Sequence, residues 1–370
     1  MRILHINCNY LGTALHQNMI DCLNGYNIEN RVFVPIHEKT VFKISPANYV
    51  TVSECFKKAD RIWFDYKQKK IYESVSKSYQ VSDFDIIHAY TLFTDGNCAM
   101  KLSEKYDIPY VVAIRNTDVN DFFRKMVHLR RRGIKIMLNA KAIFFLSDSY
   151  KNEVFNKYVP SECKKQLLEK SYVIPNGIDD FWFKNKPEST PIIEQNKINL
   201  VYAGRIDKNK NIPTTIKAMG LLKARGYDAE LTVVGDVSDK SEFEKIRSSV
   251  IYLPAKPKEE LARIYRQNNI FVMPSFTESF GLVYAEAMSQ GLPVVYSAGQ
   301  GFDGQFENGT VGYSAQAGSA ESVADAIEKT VARYGDISKN CIELCHKFTW
   351  KTLCEKYNQI YNHIIGKNML

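Results

Sequence analysis

The sequence predicts an α/β protein of two Rossmann-like domains, and three observations carry that expectation. A length of 370 residues suits two domains, each large enough for its own core. The run Arg2-Ile-Leu-His-Ile-Asn7 reads as an opening strand, with a loop at Gly12 and a helix over Thr13 to Leu23 behind it. In the second half the buried strand Ile270-Phe-Val-Met-Pro274 passes through a turn into a helix, read from the spacing of Leu282, Val283, Ala285 and Met288, that Gly291 and Pro293 stop.

The N-terminal half continues with Asp85 to Ala89 and Ile108 to Ile114, two apolar runs that read as parallel strands. The C-terminal ends of such strands are where doubly wound sheets bind ligands. His88 stands at one end, as a ligand contact or as a packed histidine. Asn116 and Asp118 follow the other; Asp118 equally suits a helix cap before the amphipathic stretch Val119 to Val127. The segment Phe122 to Leu138 then carries Arg124, Lys125, Arg130, Arg131, Arg132 and Lys135 with no acid, interleaved with Phe, Met, Ile and Leu. Cations beside such residues suit an anionic membrane surface, and a solvated helix face is the alternative. A second basic cluster runs through Lys57, Lys58, Arg61 and Lys67 to Lys70 beside Trp63 and Phe64.

In the C-terminal half, Ile198 to Ala203 reads as a strand, Gly204 to Lys210 as a basic turn, and Pro213 to about Gly226 as a helix with its usual first and last residues. Arg205 and Lys210 stand in that turn. Arg offers a forked pair of donors and Lys a compact charge, which together suit a leaving diphosphate without a metal ion. Further on, Glu278 falls in the turn before the helix and Glu286 about two turns into it. Between them the amides of Phe280, Gly281 and Leu282 start the helix unpaired, a cradle for phosphate or sugar oxygens. An anion cradle flanked by two carboxylates suits a sugar nucleotide.

Two Glu residues in the setting Pro-Ser-x₂-Glu278-x₇-Glu286-Ala-Met-x₂-Gly-x-Pro-Val, with Gly204-Arg205…Lys208-x-Lys210 upstream, resemble the retaining glycosyltransferases of family GT4, which have the two-domain GT-B fold. Val173 to Asp179 is similar to the family's interdomain segment, Leu231 to Asp236 to its next strand and turn, and Glu307 to Tyr313 to the turn before a late helix. The resemblance is strong from about Pro175 onward and weak before it. It implies an N-terminal acceptor domain over 1–180, a nucleotide-sugar domain over 181–345 across a cleft, and a helix over 346–370 crossing back onto the first. The hinge is expected near Pro175 to Lys186.

The resemblance also implies roles. Arg205 and Lys210 bind and stabilise the donor diphosphate, Glu278 faces the donor sugar, Glu286 holds the ribose hydroxyls, and Gly12 lets backbone approach the phosphates. His88, Asn116 and Asp118 are the acceptor-side candidates. The family commonly carries a His after the strand that here ends at Arg115-Asn116, and this chain lacks it. The reaction implied is transfer of a hexosyl unit, with UDP as carrier, to a sugar hydroxyl of a glycan or polyprenol-linked acceptor in cell-surface polysaccharide synthesis. No metal ion or other cofactor is expected. A sugar-nucleotide epimerase or hydrolase on the same fold is the alternative, and a nucleotide-binding scaffold without activity a third.

Composition narrows the class. Apolar residues make up 45% and charged residues 24%, a globular balance. No run reaches the roughly eighteen apolar residues of a membrane span, and no signal-peptide pattern precedes the first strand, so a cytoplasmic protein, peripheral at the inner face of the plasma membrane, is expected. The eight cysteines show no paired C-x₂-C spacing and read as reduced thiols. Net charge is +8, of which residues 1–180 hold +6, from 26 Lys and Arg against 20 Asp and Glu. No nucleic-acid-binding motif accompanies that charge, and no nucleic-acid partner is expected.

Overall fold

The computed structural model of the protein describes residues 1–187, 192–193 and 196–368, and the chain divides into two compact units. The first holds Met1–Leu146, Tyr150–Gly177 and the chain from Trp350; the second holds Ser147–Ser149 and Ile178–Thr349.

Among the described residues the first unit is built on seven parallel strands: β1 (Arg2–Ile6), β2 (Glu29–His37), β3 (Val50–Phe56), β4 (Ile86–Ala89), β5 (Tyr110–Ile114), β6 (Ala142–Phe145) and β7 (Ser171–Val173). Their order is β3-β2-β1-β4-β5-β6-β7. The order reverses between β1, which pairs with β2 from Arg2↔Glu29, and β4, which pairs with β1 from Ile3↔Ile86. Every residue of β5 is buried, because crossover helices cover both faces of a parallel sheet. Leu4, Ile87 and Val112 enter the core on one face, under the helices Phe64–Ser78, Thr94–Tyr106 and Arg130–Asn139; Ile3, Ile86 and Val111 enter the other.

The helix Trp350–Asn368 lies on that second face. Trp350, Leu353, Tyr357 and Tyr361 fill the core with Met19 and Ile20 of the first helix, as the family resemblance implied for the last helix. His88 Nδ1 lies 2.7 Å from the Tyr361 hydroxyl, and its ring stacks on Tyr90 at 4.3 Å. Truncating Tyr361 to Ala should therefore destabilise this unit by about 3–5 kcal/mol through the void it leaves, whereas Tyr361→Phe should cost about 1 kcal/mol for the lost hydrogen bond. Urea unfolding of the two variants checks the order; equal costs would mean that the hydroxyl, not the packing, dominates.

The second unit repeats the plan with β8 (Lys197–Ala203), β9 (Asp228–Val234), β10 (Ile251–Leu253), β11 (Ile270–Met273), β12 (Val294–Ser297) and β13 (Gly312–Ala315), all parallel, in the order β10-β9-β8-β11-β12-β13. The reversal here falls between β8 and β11, paired through Ile270↔Leu200. Open sheets of this kind bind ligands at the carboxyl ends of the two strands where the order reverses. No helix among the described residues is long and apolar enough to cross a membrane.

Candidate active site

Two turns leave the reversal of the second sheet side by side, Gly204 to Asn211 after β8 and Pro274 to Gly281 after β11. Asn209 joins them: its carboxamide donates to the Thr277 carbonyl (2.8 Å) and accepts from the Thr277 amide (3.0 Å), while the Phe276 amide donates to the Asn209 carbonyl (2.9 Å). Asn211, left-handed at φ 57°, donates to the Pro274 carbonyl at 2.9 Å. The Asp207 carboxylate accepts the Lys210 amide (3.1 Å) and holds the basic turn in one helical wind. The next strand's turn approaches through Gly235, where a Cβ would lie 1.8 Å from the Gly204 carbonyl oxygen. Neither Asn entered the sequence reading. An Asn before Ile-Pro signals a left-handed residue, but a carboxamide bridging two turns has no local signature.

The join brings Lys210 and Glu278 together. Lys210 Nζ stands 2.5 Å from Glu278 Oε2, and the two side chains are 15% and 11% exposed. The other Glu278 oxygen accepts the Ser279 amide (3.0 Å), and the Glu278 amide donates to Gln300 Oε1 (2.9 Å). The sequence expectation assigned these two groups to different parts of one ligand; in the structure they are also each other's counter-ion. Arg205 differs. Its carbonyl is held by the Tyr202 hydroxyl (2.6 Å), yet its side chain is 72% exposed and reaches only to 3.9 Å from Asp207. A fixed ion pair and a projecting guanidinium thus share one turn.

Gly281 caps the following helix, Leu282–Ser289, from the left-handed region at φ 74°, where a Cβ would lie 2.5 Å from the Tyr284 ring. The Tyr284 hydroxyl donates to the Met273 carbonyl at 2.6 Å and ties the helix to β11. The amides of Gly281 and Leu282 meet no acceptor among the described residues, so they and the helix dipole stand open beside the Lys210–Glu278 pair. Phe280 contributes main chain alone, because its ring is buried against Phe302 and Phe348. Glu286 lies one turn into the helix, not two, since the helix begins only at Leu282. Burial raises its carboxyl to about 7, and Asp179 adds to the rise. No hydrogen bond to that carboxylate forms among the described residues, whereas Asp179 is engaged by Lys258 (2.9 Å) and the Phe181 amide (2.8 Å).

The first-unit candidates are less uniform. His88 is a packed core residue under Tyr361, fully buried, with burial holding its pKa well below the ordinary histidine value; it faces no ligand space. Asp118 is also buried. Its carboxylate accepts the Leu92 (3.0 Å), Phe93 (3.2 Å) and Arg115 (2.9 Å) amides, so it ties the end of β5 to the turn after β4, and burial raises it to about 6 against those three bonds. Asn116 is partly exposed and accepts from Asn120 at 2.8 Å. Gly12 ends a short 3₁₀ turn; its φ lies outside the left-handed region and a Cβ would meet nothing within 4 Å.

The segment Phe122 to Leu138 is not one amphipathic helix with a free cationic face. A π-helical turn, Asp118–Phe123, leads through a 3₁₀ turn, Val127–Leu129, into the helix Arg130–Asn139. Phe123, Leu129, Ile136 and Met137 turn into the core. Lys125 pairs with Asp121 (2.5 Å), Arg132 with Asp65 (3.2 Å) and Lys135 with Glu104 (3.3 Å), while Arg130 donates to the Phe123 carbonyl (2.6 Å). Tertiary partners outside the segment therefore absorb much of the charge that its sequence isolates.

Comparison with known proteins agrees with this architecture. The family described as Glycosyl transferases group 1 matches residues 184–348. A D-inositol 3-phosphate glycosyltransferase of Paenarthrobacter aurescens is 27% identical over 266 residues, 66% of this chain and 64% of that protein. A capsular polysaccharide biosynthesis glycosyltransferase, CapM, of Staphylococcus aureus is 26% identical over 250 residues, 63% of this chain and 64% of that protein. The matched stretch thus spans a little under two thirds of these relatives' own length. Among solved structures, a sucrose-phosphate synthase from Thermosynechococcus elongatus superposes with a TM-score of 0.76 at 18% identity, covering 99% of this chain and 100% of that one. With two doubly wound parallel sheets and a group 1 match over residues 184–348 of its second unit, the chain has the GT-B fold and is similar to the GT4-type glycosyltransferases.

Proposed function

We propose that this protein moves a hexosyl unit from a nucleotide diphosphate sugar, with UDP as carrier, to a sugar hydroxyl of a lipid-linked glycan, retaining the anomeric configuration, in the synthesis of cell-surface polysaccharide. One observation supports this reading above the others. A buried Lys210–Glu278 pair, the open amides of Gly281 and Leu282, and the unbonded carboxylate of Glu286 converge at the strand ends where the second sheet reverses. Cation, amide cradle and two carboxylates at that spot match the parts of a sugar nucleotide in order: diphosphate, sugar and ribose.

In the proposed step the bond between the anomeric carbon and the β-phosphate oxygen breaks while the acceptor oxygen bonds to the same face of that carbon. The acceptor's proton passes to the departing phosphate. Lys210 and Arg205 stabilise the charge that grows on the leaving diphosphate, the helix amides add their dipole, and Glu278 orients the sugar through its hydroxyls while holding Lys210. Preorganised groups of this type can lower a barrier by several kcal/mol. Glu286 accepts hydrogen bonds from the ribose.

Incubation with UDP-hexoses, with and without a lipid-linked glycan, tests the reading. The expected result is a new glycoside of the donor's own anomeric configuration by proton NMR, formed only when acceptor is present and undiminished by EDTA. Free hexose as the sole product would make the protein a hydrolase, and an altered hexose still attached to UDP an epimerase. Loss of transfer on chelation with rescue by magnesium or manganese would overturn the metal-independent step.

A further inference from the structure

The first unit carries a cavity of its own, about 820 Å³, at the C-terminal edge of its sheet. Cys8 and Thr91, beyond the ends of β1 and β4, form part of its wall, so it sits where that sheet reverses. Much of the remaining wall is apolar, with Phe56, Phe64, Phe122 and Leu129.

Its charge is unbalanced. Lys39, Arg61, Lys67 and Lys125 line the space against two acids, Asp118 and Asp121. Asp118 is spent on three backbone amides and Asp121 on Lys125. Lys67 is partly buried with its ammonium 4.8 Å over the Phe56 ring, and that ammonium makes no hydrogen bond or ion pair among the described residues. Burial lowers its pKa, with Cys8 and Asp95 opposing that shift, so the bare ammonium is held at a cost that an anion would relieve.

The mouth is greasy. Of the thirteen large apolar side chains exposed among the described residues, seven fall at 41–42, 62–66 and 126–127, on or next to the lining. Ile62, Val41 and Trp63 are 81%, 78% and 70% exposed. A soluble anion has no use for such a rim, and a neutral lipid has none for the unpaired cations behind it.

We propose that this cavity binds the phosphate of a lipid-phosphate acceptor, with Lys67 on the phosphate, Lys39 and Arg61 beside it, and the hydrocarbon chain leaving over Ile62, Trp63 and Val41. The assignment rests on the transferase reading for its biological sense, but its test does not. Trp63 is exposed while Trp182 and Trp350 are buried, so tryptophan emission reports on the mouth.

Titration of the full chain with farnesyl phosphate below its micelle concentration should shift that emission to the blue and saturate. Farnesol and inorganic phosphate should each bind at least about tenfold more weakly, since neither offers both halves of the ligand. Lys67→Gln should weaken farnesyl phosphate by a similar factor and leave farnesol unchanged, and Lys67→Arg should restore most of it. Equal affinity for farnesol, equal affinity for inorganic phosphate, or indifference to Lys67→Gln would each overturn the assignment. UDP calorimetry on the same samples separates the two readings. Unaltered farnesol affinity certifies the fold of the first unit in each Lys67 variant, and UDP binding without selective farnesyl phosphate binding sinks the lipid site alone. Absence of UDP binding sinks the donor reading whatever the lipid does.

Discussion

Replacing Lys210 by Ala should lower turnover by about 10² to 10³ at saturating donor, the range found when one preorganised donor to developing charge is removed. Lys210 Nζ is fixed 2.5 Å from Glu278 in a largely buried pair, so the cation needs no reorganisation when charge moves onto the diphosphate. The loss has a second part. The buried Glu278 carboxylate loses its short ion pair with Lys210, and breaking such a pair from one side carries a cost of its own. Glu278→Ala should reduce turnover of the sugar donor while leaving affinity for bare UDP nearly unchanged, because the proposed step gives its carboxylate to the sugar and not to the nucleotide. The two substitutions should not add: the double variant should lose far less than the product of the single losses, as expected for residues in one ion pair. Arg205→Ala should also cost about 10² to 10³ in the chemical step, even though its side chain projects into solvent in the structure. Single-turnover kinetics on the four variants decides the matter, and wild-type rates for Lys210→Ala would remove it from the chemistry.

Affinity for UDP should fall about tenfold or more in Glu286→Ala, the loss of a charge-assisted hydrogen bond worth roughly 1.5–3 kcal/mol. The same residue predicts a pH dependence. Its carboxyl sits at about 7 in the protein against an ordinary 4.5, because burial disfavours the charge. In the proposed role the ionised form accepts the ribose hydroxyls, so UDP affinity should rise as pH climbs from 6 to 8 and then level. Glu286→Gln should bind weakly and without that slope.

Stability runs the other way. Between about 4.5 and 7 the folded state holds a proton that the unfolded state has released, so stability falls as pH rises through that window. Glu286→Gln lacks this penalty and should be more stable than the parent at pH 8, with no gain at pH 4. For a fully buried group the gain would approach about 3 kcal/mol, and the partial exposure of this side chain makes it smaller. Calorimetric titration and thermal unfolding across pH 5 to 8 read both slopes. If both stay flat in the parent, Glu286 does not hold the ribose.

What the sequence determined by itself were the features set by short-range periodicity and steric demand. The strand Ile270–Met273, the helix from Leu282 and its stop before Gly291 follow from apolar spacing and from glycine at φ 74° and 83°. The resemblance carried by the Glu278 and Lys210 motifs extended this to two doubly wound units and a final helix packed in the first. Only the tertiary structure decided what each polar side chain faces. His88 and Asp118 sit at strand ends, where the sequence made them ligand candidates, yet one is closed off by Tyr361, 273 residues away in the chain, and the other is consumed by amides from a neighbouring turn. Lys210 and Glu278 became an ion pair because β8 lies beside β11, although two other strands separate them in sequence. Arg132 and Lys135 of the segment Phe122 to Leu138 found acids on other elements in the same way. Local pattern encodes which face of an element is apolar, but the partner of a buried charge is chosen by strand order, and strand order is settled by the burial of whole sheets rather than by any segment's own residues.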